Sequence, residues 1–165
     1  MEWIDALEGK VVGLDTTPLI YLIEEHPVYL PLVRPFFEAA DRGRLNFVTS
    51  VVTLLEVLVH PLRQGREELA RKYRDILLGS ANLNVVPVSV RVAEEAARLR
   101  ALYHLRVPDA IQLAVAKGDG ATAFLTNDRR LAVVPGIRVL VLDELIEVEQ
   151  VGHRLLNCVR RFYDP

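Results

Sequence analysis

Residues 10–23 read KVVGLDTTPLIYLI and contain the transition that decides the fold. Val11 to Leu14 is a short apolar run typical of a buried strand, and Asp15 follows it directly. Thr17 then offers a helix N-cap, with Pro18 at the first helical position. The segment therefore predicts a strand that leads into a helix, with an aspartate at the junction.

The same layout recurs along the chain. Further strands are predicted at residues 45–49, 83–88, 121–125 and 137–142, and stretches with helical spacing of apolar residues lie between them. Alternating strands and helices are typical of an α/β fold in which helices cover both faces of a parallel sheet. Ligands bind such sheets beyond the carboxyl ends of the strands.

Composition limits the size of the domain and the nature of its ligands. The chain has 165 residues, of which 51% are hydrophobic, enough for one substantial core but not for two comfortable domains. Lys and Arg total 20 against 22 for Asp and Glu, so the net charge provides no general attraction to nucleic acid. A polyanionic ligand must therefore be bound by local groups.

Nothing in the sequence indicates a membrane protein. The longest uncharged stretch, residues 76–90, contains Gly79 and Pro87 and is unsuitable as a membrane span. The N-terminus lacks a basic segment followed by an apolar one, so we expect no secretory signal. The single cysteine, Cys158, cannot form an internal disulfide. We therefore expect a cytoplasmic protein.

Four acidic residues stand at the edges of apolar segments. They are Asp15, Glu56, Asp109 and Asp128. Carboxylates placed in this way can converge on one pocket, where a divalent cation offsets their mutual repulsion. Hard oxygen ligands favour Mg²⁺ or Mn²⁺ over zinc. We therefore expect an oxygen-only metal site.

Three of these acids also have an ordinary structural explanation. Asp109 falls in the first turn of a helix, where the helix dipole stabilises a negative charge. Glu56 belongs to a narrow polar stripe on its helix, and Asp128 follows an asparagine in a sequence typical of a turn. Only Asp15 lacks such a role, because Thr17 is better placed to cap the next helix.

The sequence contexts of the four acids resemble those of the PIN-domain nucleases, and among these the VapC-type toxin ribonucleases. The matching segments are LDTTPLI with Asp15, TLLEVL with Glu56, VPDAIQLAVA with Asp109, and LTNDRRL with Thr126 and Asp128. The resemblance extends from Val11 to Leu142. Four motifs in the family's order are far more specific than any one of them.

The resemblance implies a three-layer α/β/α sandwich with a central, mainly parallel five-stranded sheet. It makes Asp15, Glu56, Asp109 and Asp128 the catalytic and metal-binding residues, with Thr126 as a supporting hydroxyl. It implies hydrolysis of RNA with Mg²⁺ or Mn²⁺, an antitoxin protein that covers the site, and a homodimer.

For the mechanism, we expect a metal-activated water molecule to attack the RNA phosphodiester bond. Arg129 and Arg130 directly follow Asp128 and are predicted to bind substrate phosphates. The sequence has no G-x-S-x-G elbow, no P-loop and no cysteine–histidine cluster with zinc spacing. These absences favour water as the nucleophile.

Two other functions remain open. A strand that ends in an aspartate also begins phosphotransfer domains, in which the aspartate is phosphorylated and a lysine, here Lys10 or Lys117, would be needed nearby. A PIN-like module that binds RNA or protein without cleaving either is the non-enzymatic alternative.

The C-terminal segment is predicted to form a helical extension. Apolar residues at helical spacing continue beyond the last strand, namely Val151, Leu155, Val159 and Phe162. We therefore divide the chain into a PIN-like nuclease domain at 1–145 and an extension at 146–165. The extension is expected to pack on its own domain or on a partner.

Overall fold

Five parallel strands form the central sheet of the computed structural model, which describes residues 2–146. The strands are β1 (Val11–Leu14), β2 (Asn46–Ser50), β3 (Leu83–Val86), β4 (Ala123–Thr126) and β5 (Arg138–Val141). Their order across the sheet is β3-β2-β1-β4-β5, and every neighbouring pair is parallel. The predicted five-stranded parallel sheet is therefore confirmed.

Helices connect the strands and cover the sheet. They are α1 (Glu2–Asp5), α2 (Thr16–Ile23), α3 (Leu30–Asp41), α4 (Val51–Arg63), α5 (Glu67–Gly79), α6 (Val90–Tyr103) and α7 (Val107–Gly118). A 3₁₀ helix spans Arg129–Val133, and residues 142–146 are helical. Among the described helices, none is both long and apolar enough to cross a membrane.

Each face of the sheet has its own hydrophobic core. On one face, Val12 and Leu14 of β1 pack in a cluster with side chains from α2, α3, α4 and α5. On the other face, Phe124 of β4 packs with side chains from α6 and α7. The three-layer α/β/α sandwich is therefore confirmed. The predicted extension at 146–165 lies almost wholly outside the described residues and stays a prediction, as does the boundary at residue 145.

The cap of α2 differs from the sequence prediction. Thr17 was expected to cap this helix, but the N-cap is Asp15, whose Oδ1 accepts a hydrogen bond from the Thr16 backbone N–H at 2.8 Å. Pro18 is consistent with this start, because it lies in the first turn, where backbone N–H groups have no helical partner and a missing N–H costs nothing. The prediction that Asp15 has no structural role was therefore wrong.

Helix α4 is longer than the sequence predicted. The apolar run from Val51 to Val59 predicts a helix that ends at Val59, but the helix continues to Arg63 and includes Pro61. Proline removes one helical hydrogen bond. Pro61 is nevertheless buried in the last turn, and the helix continues past it to Arg63.

Helix α7 packs closely against β1 at Gly13. A Cβ atom on Gly13 would lie 2.6 Å from the Cβ of Ala116 in α7 and 2.5 Å from Cδ2 of Phe124. Both distances are shorter than side chains tolerate, so only glycine fits this position without movement of its neighbours. The contact brings α7, which carries Asp109, against the strand that ends at Asp15.

We predict that Gly13→Ala lowers the free energy of unfolding by about 1–3 kcal/mol, because the added methyl group overpacks the contact with α7. Urea unfolding measures this difference. Gly79→Ala is the matched control, since a Cβ there meets nothing within 4 Å. It should change stability by no more than about 1 kcal/mol, in the stabilising direction. Equal stability of Gly13→Ala and the parent protein would contradict the close contact.

Candidate functional site: an acidic pocket at the strand ends

A pocket of about 660 Å³ opens beyond the carboxyl ends of β1 and β4. From β1 the chain continues to β2 on one side of this point, and from β4 it continues to β5 on the other side. The pocket therefore lies at the topological switch point of the sheet. All four predicted carboxylates line the pocket, namely Asp15, Glu56, Asp109 and Asp128. The other lining residues are Thr16, Thr17, Ile20, Tyr21, Val59, Arg106 and Asn127.

Asp15 is held at the end of β1 by neutral hydrogen-bond donors. Oδ1 accepts the Thr16 amide, and Oδ2 accepts the Thr126 hydroxyl at 2.6 Å. Burial raises the pKa of the Asp15 carboxyl, and repulsion from Asp109 and Glu56 adds to this effect. The ionised form of Asp15 is therefore in an unfavourable environment that a cation would relieve.

Glu56 reaches the pocket from α4 and accepts a short hydrogen bond from the Thr16 hydroxyl. Thr16 is one end of a buried polar network centred on Gln112 of α7. The Gln112 side-chain N–H₂ group donates to Thr16 Oγ1 at 3.3 Å and also to Thr53. The network therefore sets the position of Thr16, and Thr16 in turn holds the Glu56 carboxylate.

The other side of the Gln112 amide faces the junction of β2 and α4. Its Oε1 accepts hydrogen bonds from the Ser50 backbone N–H at 3.1 Å, the Ser50 hydroxyl at 3.0 Å and the Thr49 hydroxyl at 3.2 Å. Ser50 also caps α4. One buried side chain thus connects the starts of α2 and α4 with α7.

Asp109 lies in the first turn of α7, as the sequence predicted, and only 8% of the residue is exposed. Its carboxylate accepts two hydrogen bonds from Arg106, from Nε at 2.9 Å and from Nη2 at 3.3 Å. The same guanidinium lies 3.5 Å from Asp128. Arg106 therefore bridges two of the four acids.

Asp128 caps the 3₁₀ helix and is paired with Arg130. Its Oδ1 accepts the Arg130 backbone N–H at 3.0 Å and the Arg130 Nε–H at 2.9 Å. Hydrogen bonding to Arg130 lowers the pKa of Asp128, although partial burial opposes the shift. Asp128 is therefore ionised under conditions in which Asp15 resists ionisation.

The two arginines predicted to bind substrate have carboxylate neighbours. Arg130 pairs with Asp128, and Arg129 Nε lies 3.7 Å from Glu144. A phosphate-binding role for either residue stays a prediction. Arg106, which lines the pocket, was missed at the sequence level, although its position three residues before Asp109 was a usable signal.

Comparison with known proteins identifies the family. The PIN domain family matches residues 12–137, which is most of the chain. The chain belongs to the PIN domain family. No protein with a curated description matches the sequence.

Solved structures share the fold of this PIN domain. VapBC2 from Rickettsia felis, bound to a DNA fragment from their promoter, has a TM-score of 0.64 at 18% identity and covers 79% of this chain and 98% of its own. A toxin–antitoxin complex from Klebsiella pneumoniae has a TM-score of 0.57 at 25% identity, with 80% and 97% covered. VapC20 from Mycobacterium tuberculosis, a sarcin–ricin loop cleaving toxin, has a TM-score of 0.62 at 17% identity, with 78% and 98% covered.

The pocket of this PIN domain has the right donor atoms for a hard cation, but it is not a preformed metal cage. All four acids supply carboxylate oxygens, the ligands that Mg²⁺ and Mn²⁺ prefer. Within residues 2–146, no three acidic, histidine or cysteine side chains are grouped closely enough to hold an ion as they stand. Arg106 and Arg130 occupy part of the carboxylate surface instead. The residues therefore fit a cation in chemistry and in shared location, provided that side chains rearrange.

We predict that Asp15→Asn makes the free energy of unfolding less sensitive to a rise in pH when chelator is present. The folded pKa of Asp15 is raised above its ordinary value of 3.8, so its protonated form favours folding. That contribution is full below the unfolded pKa and is lost as pH rises through the folded pKa. Urea unfolding from about pH 4 to about pH 8 should show the parent losing more stability than the variant.

An exposed acid of α5, Asp75, supplies the control for this measurement. Asp75 is paired with its neighbour Arg74 at the surface, and 72% of its side chain is exposed. Asp75→Asn should leave the pH profile of the parent unchanged. Parallel profiles for Asp15→Asn and the parent would contradict the unfavourable environment assigned to Asp15.

Proposed function

We propose that this PIN domain is a metal-dependent endoribonuclease that hydrolyses RNA phosphodiester bonds with a metal-activated water molecule. We propose further that it is the toxin of a toxin–antitoxin pair. The observation that carries the proposal is the convergence of Asp15, Glu56, Asp109 and Asp128 on one pocket at the ends of β1 and β4. The sequence separates these residues widely, so a shared pocket is the product of the fold.

The similar structures support the biological part of the proposal. The Klebsiella structure is a toxin–antitoxin complex, and VapC20 is described as a toxin that cleaves the sarcin–ricin loop. An antitoxin protein that covers the acidic pocket, a homodimeric assembly and a cytoplasmic location are therefore parts of the same proposal.

The four carboxylates would hold Mg²⁺ or Mn²⁺ in this proposal. When bound, such an ion lowers the pKa of a water molecule and neutralises charge on the phosphate. Thr126 keeps the Asp15 carboxylate directed into the pocket through its hydrogen bond to Oδ2. The Thr16 hydroxyl does the same for Glu56.

The arginines around the pocket are suited to bind the phosphates of RNA. Arg106 and Arg130 are exposed over 64% and 67% of their side chains, so their guanidinium groups are accessible to a ligand. Guanidinium groups bind phosphate oxygens with two parallel hydrogen bonds. We propose that Arg129, Arg130 and Arg106 bind the RNA backbone beside the acidic residues.

A second candidate is a PIN module that binds RNA or protein without cleavage. The observation that favours it is the pairing of Asp109 and Asp128 with Arg106 and Arg130, because these arginines already offset part of the acidic charge. Such a pocket needs a cation less than four unpaired carboxylates would.

The phosphotransfer alternative is less well supported by the positions of the lysines. Lys10 precedes β1 and therefore lies at the opposite end of that strand from Asp15. The Lys117 ammonium group donates to the Pro135 carbonyl at 3.3 Å, near the end of α7. Neither lysine lines the acidic pocket.

We predict that divalent cations stabilise the protein through the acidic pocket. A ligand at a hundred times its dissociation constant stabilises the native state by about 2.7 kcal/mol. Thermal unfolding with Mn²⁺, Mg²⁺ or chelator measures the gain, at about 2–4 °C per kcal/mol for a protein of this size. Asp109→Asn should abolish most of the gain, while Asp75→Asn should retain it. The gain is compared within each variant, because loss of the Arg106 pair also changes the starting stability.

We predict that the protein cleaves RNA only with Mn²⁺ or Mg²⁺, and that Asp15→Asn abolishes the activity. Loss of several kcal/mol of charge stabilisation corresponds to a decrease of about 100-fold or more in rate. The assay follows an end-labelled mixture of structured and single-stranded RNAs. Asp75→Asn should cleave at the parental rate. Binding of Mn²⁺ without any cleavage product would instead favour the binding module.

A further inference from the structure

An aromatic cluster lies at the rim of the acidic pocket and is not used by the acidic site itself. It consists of Tyr21, His26 and Tyr29. The rings of Tyr21 and Tyr29 are stacked, with centroids 4.2 Å apart and planes only 5° from parallel. Tyr21 also lines the pocket together with the carboxylates. The cluster thus places a flat apolar ring beside the acids.

The ring distances show that one face of Tyr21 is not covered by this cluster. His26 lies 4.7 Å from Tyr21 and 4.9 Å from Tyr29 by ring centroids. A ring stacked on the far face of Tyr21 would lie about twice the stacking distance from Tyr29. Because the two distances are nearly equal, His26 lies beside the stacked pair. Tyr29 therefore covers one face of Tyr21, and neither Tyr29 nor His26 covers the opposite face. Tyr21 is half-buried, with part of its ring against the core and part lining the pocket.

Hydrogen bonds fix the position of this cluster relative to the acidic site. The Tyr29 hydroxyl donates to Asp143 Oδ1 at 2.6 Å and accepts a hydrogen bond from Asn127 Nδ2 at 3.0 Å. Asn127 Oδ1 in turn accepts the Asp143 backbone N–H at 3.0 Å. Asn127 directly precedes Asp128, so the supporting ring is connected to the residue next to an acid of the pocket.

We propose that Tyr21 is a stacking platform for a nucleobase of bound RNA, beside the phosphate that the acidic pocket receives. The inference rests on the proposed function and assigns a base-binding role to a residue of the same pocket. Every nucleobase has a flat face that stacks on an aromatic ring, so this contact favours unpaired bases without selecting a sequence. The Tyr29 stack supports Tyr21 from behind and restricts its movement.

The test measures RNA binding in the Asp15→Asn background, so that cleavage does not interfere. The probes are a short unstructured RNA containing 2-aminopurine and the same RNA with an abasic site at that position. Tyr21→Leu should weaken binding of the first RNA by about 5- to 150-fold, the range found when a stacking aromatic is removed. It should leave binding of the abasic RNA unchanged. Fluorescence anisotropy gives both dissociation constants.

Two conservative variants separate stacking from a structural role. Tyr21→Phe should bind as the parent does, and Tyr21→Trp should bind at least as tightly, with stronger quenching of 2-aminopurine. Tyr103→Leu is the matched control, because Tyr103 belongs to α6 and does not line the pocket. If Tyr21→Leu fails to fold, the tryptophan variant decides alone, since weaker binding with no increase in quenching would overturn the proposal.

The failure of this inference is distinguishable from failure of the proposed function. Equal weakening of both RNAs by Tyr21→Leu, or no weakening of either, overturns the stacking role even if the protein with Asp15 cleaves RNA. Base-dependent binding that requires Tyr21, in a protein that never cleaves RNA, supports the stacking role and removes the nuclease assignment. Absence of RNA binding both by the Asp15→Asn protein and by the protein with Asp15 overturns both.

Discussion

The acidic pocket depends most on the hydrogen bonds of the buried Gln112 side-chain amide. This amide donates to Thr16 at the start of α2 and accepts from Thr49 and Ser50 at the junction of β2 and α4. Since Gln112 lies one turn beyond Asp109 in α7, this amide sets the relative positions of three segments that carry acids. A buried polar group is costly unless it is fully hydrogen-bonded, so the network tolerates only one arrangement of these segments.

Electrostatics in the pocket are divided between two kinds of carboxylate. Asp15 is held by uncharged donors, and its burial raises its pKa, whereas hydrogen bonding to Arg130 lowers the pKa of Asp128. The pocket thus contains Asp15, whose ionised form a nearby cation would stabilise, together with Asp109 and Asp128, which are already paired with arginines. A cation would have to compete with Arg106 and Arg130, whose guanidinium groups could then contact the phosphates of a polyanion.

Much of the fold followed from local pattern. The apolar runs marked all five strands to within about two residues, a normal uncertainty for element ends. The pattern could not identify the cap of α2, because Asp15 and Thr17 are both good cap residues and their choice depends on where the chain leaves β1. The pattern also missed Arg106 and Tyr21, because these residues reach the pocket through tertiary contacts that their own sequence segments do not reveal.

The sequence by itself determined the order of the strands and the acid after β1, and it indicated four candidate carboxylates, because these follow from hydrophobic periodicity and short-range motifs. Only the tertiary structure decided which side chains meet. Asp15 and Asp109 are separated by most of the chain, yet the contact between Gly13 and Ala116 packs α7 onto β1 and places both acids at one pocket. The pairing of those acids with arginines likewise depends on distances that arise when separate elements pack together.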